Sequence, residues 1–131
     1  MEWTMKRRIL VVDDEQPIRD LLSQAFAAMD YEVDTASDGQ EALDRIAQNG
    51  VQLVFMDLKL PGLNGLDLCR RIKHFNPLAI IYAMTGYPSL FELADCREAG
   101  FDDYFRKPVK LQVIFKAADQ AFERMERWRS Y

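Results

Sequence analysis

The sequence is poor in the residues that anchor several common chemistries. It holds one histidine, His74, and two cysteines, Cys69 and Cys96. The cysteines lie far apart with no metal-type spacing, and each falls in a helical pattern. They read as buried or half-buried free thiols in a reducing compartment. His74 falls near the end of a helical stretch and reads as a surface or helix-terminal residue, not a phosphate acceptor. Only six glycines are present, and Gly62 and Gly65 shape one loop without forming a dinucleotide fingerprint. No apolar run approaches membrane-spanning length. The basic start, Lys6-Arg7-Arg8, is followed by only four apolar residues before acids appear, too few for a secretory leader. Positive charge is also short: 17 Lys and Arg against 21 Asp and Glu give −4. That balance argues against a nucleic-acid-binding face, and the one basic cluster is Arg124, Arg127 and Arg129. The expected setting is the cytoplasm, away from membrane and nucleic acid.

What is present fits a single domain. The 131 residues are 49% apolar and 29% charged, the balance of a globular chain. Two periods alternate along it. Short β-branched or aliphatic runs fall at Ile9–Val12, Val33–Ala36, Val51–Met56, Ala79–Met84 and Asp103–Phe105. Between them lie helical patterns. Ile18, Leu21, Leu22, Ala25, Phe26 and Met29 share one face, as do Ile114, Ala117, Ala118, Ala121, Phe122 and Met125. Pro17 suits a first helical position. Asp38 with Glu41, and Ser89 with Glu92, have capping-box spacing. Asn64 or Gly65 opens the third helix, and Gly50 and Gly100 are helix stops. The third and fourth strand runs are apolar nearly throughout, as in strands buried on both faces. A doubly wound (βα)5 domain with a parallel five-stranded sheet follows. We take its extent as 1–131, with a core of about 7–122 and a last helix running into the tail.

Ligands of such sheets bind beyond the carboxyl ends of the strands. There the first strand gives Asp13 and Asp14, the third Asp57, the fourth Thr85 and the fifth Lys107 followed by Pro108. A strand order of 2-1-3-4-5 would bring them to one end of the sheet. Three clustered carboxylates repel one another and lose hydration. A cation taking oxygen ligands and water, of the Mg²⁺ type, removes that cost. It would also let a phosphoryl group approach a carboxylate, with Thr85 and Lys107 placed for the phosphoryl oxygens.

At this point the chain resembles the receiver domain of two-component response regulators, a flavodoxin-like fold. The matching pieces are "VVDDE" at the first strand, "MDLKLPGLNG" ending at Gly65, "MTG" around Thr85 and "DDYFRKP" ending at Pro108. They match in order and spacing over roughly residues 7 to 122. The resemblance implies that Asp57 is the phosphoacceptor. It implies Mg²⁺ bound directly by Asp14, mainly through water by Asp13, and by Asp57 and the backbone carbonyl of Lys59. Thr85 and Lys107 would bind the phosphoryl group, the Lys107–Pro108 peptide would be cis, and Tyr104 would be the aromatic switch residue beside Thr85. The helix 4, strand 5, helix 5 surface would change with phosphorylation. Implied partners are a sensor histidine kinase or histidine phosphotransfer protein, a downstream output domain or protein, and a phosphorylation-dependent homodimer. The domain would not be an enzyme beyond its own Mg²⁺-dependent phosphorylation and dephosphorylation. Gly86 stands where a small residue, often alanine, is usual. Lys59 and Tyr87 occupy variable positions that affect phosphoryl lifetime.

Two other classes fit less well. A haloacid-dehalogenase-like phosphatase needs a second acid two residues after the nucleophile, and Lys59 stands there. A flavodoxin-like electron carrier needs a phosphate-binding loop after the first strand, where acidic "DDEQP" would repel it. Trp3 and Trp128 receive no role.

Overall fold

The computed structural model describes residues 6–86 and 88–129. Five strands and five helices alternate: β1 (Arg8–Val12), α1 (Gln16–Ala28), β2 (Glu32–Ala36), α2 (Gly39–Asn49), β3 (Leu53–Asp57), α3 (Gly65–Phe75), β4 (Ile80–Thr85), α4 (Leu90–Ala99), β5 (Asp103–Arg106) and α5 (Leu111–Arg129). All strands pair in parallel, in the order β2-β1-β3-β4-β5.

Alternation of side chains along the strands splits the core into two layers. Leu10, Val12, Val54, Met56, Ile81 and Ala83 face one way and pack with Ile46 of α2, Leu68 and Ile72 of α3, and Cys96 of α4. Ile9, Val11, Leu53, Phe55, Tyr82 and Met84 face the other and meet Leu22 and Phe26 of α1 and Ile114 and Phe122 of α5. β3 and β4 are buried at every residue, which is why their sequences are apolar throughout. β5 is an edge strand and is largely exposed.

β3 and β4 end one residue later than their apolar runs suggest. β3 starts at Leu53, two residues after Val51, and includes Asp57; β4 includes Thr85. Their register pairs Asp57 with Met84 and Thr85 with Arg106. Three helices, α2, α3 and α4, are capped by side-chain oxygens. Asp38, Asn64 and Ser89 accept the backbone N–H groups of Glu41, Asp67 and Glu92. The Glu41 carboxylate does not return to Asp38, however; it accepts from the backbone and hydroxyl of Ser37. Pro17 is the second residue of α1, after Gln16, and not the first. Gly50 and Gly100 end their helices at φ +76° and +108°, a region that side chains disfavour. Lys73 of α3 ties together the segments that lead into β4 and β5, donating to the Ala79 carbonyl and to Asp102, whose carboxylate accepts Ile81 N–H. Among the described residues no helix is long and apolar enough to cross a membrane.

Candidate functional site

The carboxyl edge of the sheet gathers the residues singled out by sequence. Asp13 follows the last residue of β1, Asp57 and Thr85 close β3 and β4, and Lys107 follows the last residue of β5. A carboxylate oxygen from each of Asp13, Asp14 and Asp57 lies within 4.8 Å of the others. Asp13 is fully buried, Asp57 nearly so and Asp14 exposed. Like charges at that spacing need compensation, and the structure supplies it locally. The Lys107 ammonium donates to Asp13 Oδ2 at 2.9 Å and Asp57 Oδ2 at 3.1 Å. The other oxygens take backbone donors: Asp13 Oδ1 accepts Glu15 N–H and Asp57 Oδ1 accepts Lys59 N–H. Each buried carboxylate thus has one ammonium and one amide partner.

Burial alone would lower the Lys107 pKa, but the hydrogen bonds and charges of Asp13 and Asp57 outweigh it and hold the group above the ordinary lysine range. The Lys107–Pro108 peptide is cis. Thr85 is 3% exposed, and its carbonyl accepts Lys107 N–H at 2.7 Å, so the backbones of the two residues are joined directly. Tyr104, three residues before Lys107, is 43% exposed and turned outward. With Leu90, Leu93, Ala94 and Phe101 it lines a groove of about 440 Å³ between α4 and β5. Leu90 and Phe91 at the start of α4 are among the most exposed apolar residues. Tyr87 lies outside the described residues, as does Trp3.

The loop after Asp57 is fixed by its own backbone. Leu58 N–H donates to Met84 O, and Gly65 N–H returns to Leu58 O. A Cβ at Gly65 would lie 2.9 Å from that oxygen, so glycine permits the close approach. Lys59 is exposed, with its amide on Asp57. One contact had no sequence signal beyond a basic residue in the first helix: Arg19 Nη1 donates to the backbone carbonyl of Asp13 at 2.7 Å.

As a donor set, three carboxylates and nearby backbone oxygen suit a hard divalent cation such as Mg²⁺. The ammonium and the hydroxyl-bearing strand end beside them suit a phosphoryl group. A doubly wound sheet with this set at its carboxyl edge defines a small class of α/β signalling modules. The family model of the response regulator receiver domain matches residues 9–119. Response regulator MprA of Mycobacterium sp. (strain KMS) is 39% identical over 110 residues, covering 84% of this chain and 48% of the relative. The signal receiver domain of an HD domain-containing protein from Pseudomonas fluorescens Pf-5 superposes with a TM-score of 0.90 at 30% identity, covering 99% of this chain and 96% of that one. The receiver domain of NtrX from Brucella abortus gives 0.81 at 34% identity, covering 88% and 98%. The chain belongs to the response regulator receiver domain family of two-component systems. The phosphatase alternative gains no support. The chain spans about half the length of the curated relatives it matches.

Proposed function

We propose that Asp57 accepts a phosphoryl group from a histidine kinase or a histidine phosphotransfer protein, and that this charge changes the α4–β5–α5 surface. The observation that carries the reading is the convergence of three carboxylates within 4.8 Å on one ammonium. In the transfer, a P–N bond of the donor histidine breaks as a P–O bond to an Asp57 carboxylate oxygen forms. Asp13, Asp14, Asp57 and the Lys59 carbonyl would hold Mg²⁺, whose charge offsets that of the phosphoryl group and the acids. The Lys59 amide orients the acceptor through Oδ1. Lys107 stands at Oδ2 as the cation for the incoming oxygens. The Thr85 hydroxyl is the neutral donor to them.

The readout runs through Tyr104. Drawing the Thr85 side chain toward new phosphoryl oxygens opens space near the end of β5, where Ala83 pairs with Tyr104. An amphipathic ring can turn into that space from its outward position. The groove beside it, with exposed Leu90 and Phe91, is the surface offered to a downstream protein or domain, or to a second copy in a phosphorylation-dependent dimer. We take residues 1–131 as one receiver module, supported by a buried core running from Ile9 to Phe122. The proposed setting is the cytoplasm. Both thiols are free and buried, and burial pushes that of Cys69 up to about 12, which suits a residue that packs and does not react.

The test is phosphorylation by acetyl phosphate followed by intact mass. Wild type should gain one phosphoryl mass in Mg²⁺ and none in EDTA, and Asp57→Asn none in either. An adduct that persists in Asp57→Asn overturns the assignment.

A further inference from the structure

We propose that Arg19 is a positioning residue for the metal-binding acids, acting through its hydrogen bond to the backbone carbonyl of Asp13 and not through its direct electrostatic effect on the metal. The inference rests on the Mg²⁺-dependent reading above. The junction of β1 and α1 must hold two carboxylates in fixed directions, yet its helix lacks the usual fastening. Glu15 occupies the N-cap of α1 and makes no side-chain cap hydrogen bond. The fastening comes instead from further along the helix. Arg19 N–H bonds to Glu15 O at 3.2 Å, and the half-buried side chain folds back so that Nη1 meets Asp13 O at 2.7 Å.

Every hydrogen-bonding group of Asp13 is thereby engaged. Its N–H donates to Ala36 O of β2, Oδ1 accepts Glu15 N–H, Oδ2 accepts Lys107, and the carbonyl accepts Arg19. That carbonyl belongs to the peptide joining Asp13 to Asp14. Its tilt sets the direction in which Asp14, the exposed acid proposed to touch Mg²⁺ directly, leaves the chain. A charge-assisted bond to a backbone oxygen is stronger than a neutral one and restricts that tilt. Partners one step removed from a metal fix its ligands in this way.

Electrostatics alone predicts the opposite consequence of losing Arg19. A cation near a dication's site repels it, so a neutral side chain at position 19 would tighten Mg²⁺ binding if charge were the whole effect. If position dominates, binding weakens. The sign therefore separates the two.

The experiment titrates Mg²⁺ alone into wild type, Arg19→Met and Arg19→Lys by calorimetry, with melting curves in EDTA and amide NMR spectra alongside. Arg19→Met should bind Mg²⁺ about tenfold more weakly, and the Asp14 and Glu15 amide signals should shift even in EDTA. Arg19→Lys retains a donor of similar reach and should restore both properties. Equal or tighter binding by Arg19→Met overturns the proposal, as does failure of Arg19→Lys to recover affinity while it melts like wild type. Wild type that binds no Mg²⁺ would sink the functional reading itself, an outcome distinct from a wild type that binds and an Arg19→Met that binds equally well.

Discussion

Replacing Lys107 by methionine removes the ammonium while keeping a side chain of similar length. Its Nζ bonds Asp13 and Asp57 at 2.9 and 3.1 Å; the side chains are 19%, 0% and 12% exposed, respectively. Without it, two buried carboxylates keep one amide donor each and face each other and Asp14 with no counter-charge. At 4.8 Å, the distance within which these oxygens all lie, two unit charges repel by about 3.5 kcal/mol at an effective dielectric of about 20, and by under about 1 kcal/mol in bulk water. Because Asp14 opens the pocket to solvent, the lower part of that range applies to it. Losing two charge-assisted bonds while freeing a long side chain leaves a net cost of about 2 kcal/mol. For a chain of this length that is about 6 to 10 °C in melting temperature. In EDTA, Lys107→Met should melt lower by that amount. In millimolar Mg²⁺ the gap should narrow, because a dication enters a site cleared of a competing cation and stabilises the variant more. The pH dependence has a definite sign. A group with a raised folded pKa contributes stability that is fully present below its unfolded value, about 10.4 for lysine, and loses it as pH rises through the folded value. The gap should thus be flat from neutral pH to mildly alkaline pH and close only in strong base. Equal melting temperatures in EDTA, or a gap that widens with Mg²⁺, would refute the reasoning.

Gly65→Ala should destabilise the domain by about 1 to 2 kcal/mol in urea titrations. The new Cβ meets only backbone, Leu58 O at 2.9 Å and Leu58 Cα at 3.0 Å, and that overpacking outweighs the small helix-propensity gain; a neutral or stabilised variant would show that the loop yields freely. Thr85→Ala should uncouple the proposed switch. With beryllofluoride standing in for the phosphoryl group, the Tyr104 ring and α4 amide signals should shift in wild type and stay near their starting positions in Thr85→Ala. A full wild-type shift in the variant would remove Thr85 from the coupling.

Most of the fold was legible because both periods were clean outside α4, which Ser89 and Gly100 marked by its ends. The all-apolar runs of the third and fourth strands announced burial on two faces, and the alternation of periods left little choice but a doubly wound sheet. Ends were read less well. The runs around Val51 and Ala79 begin before the ladders do, because pairing and not hydrophobicity sets where a strand starts. Pro17 was expected one position early, since proline is tolerated in any helical residue whose N–H would be unbonded. The site residues were legible as strand-end types, but their partnerships were not. Nothing in "VVDDE" says that Asp13 turns inward and Asp14 outward, or that an arginine six residues on from Asp13 folds back to its carbonyl. Such contacts depend on the angle between β1 and α1, which no local pattern encodes.

Three acids at the end of a buried strand pair invite a bound cation as the explanation, and the geometry refines that answer. Two of the acids are already matched within the chain: Asp13 by a lysine 94 residues along and an amide, Asp57 by the same lysine and another amide. The third sits in water, where its charge costs least. The fold can therefore carry the cluster through its own donors, and on the proposed reading a metal would act on a site that is already shaped. A lysine shared between two carboxylates is also a divided one. On the proposed reading, a phosphoryl group at Asp57 competes with Asp13 for the same ammonium, so Lys107 need shift only slightly for the balance to move. Since a ligand can bias two states only by its differential affinity for them, the Asp13–Lys107–Asp57 triad and the Thr85 carbonyl that holds the Lys107 amide are where that difference would be generated. The exposed groove at Tyr104 would be where it is read.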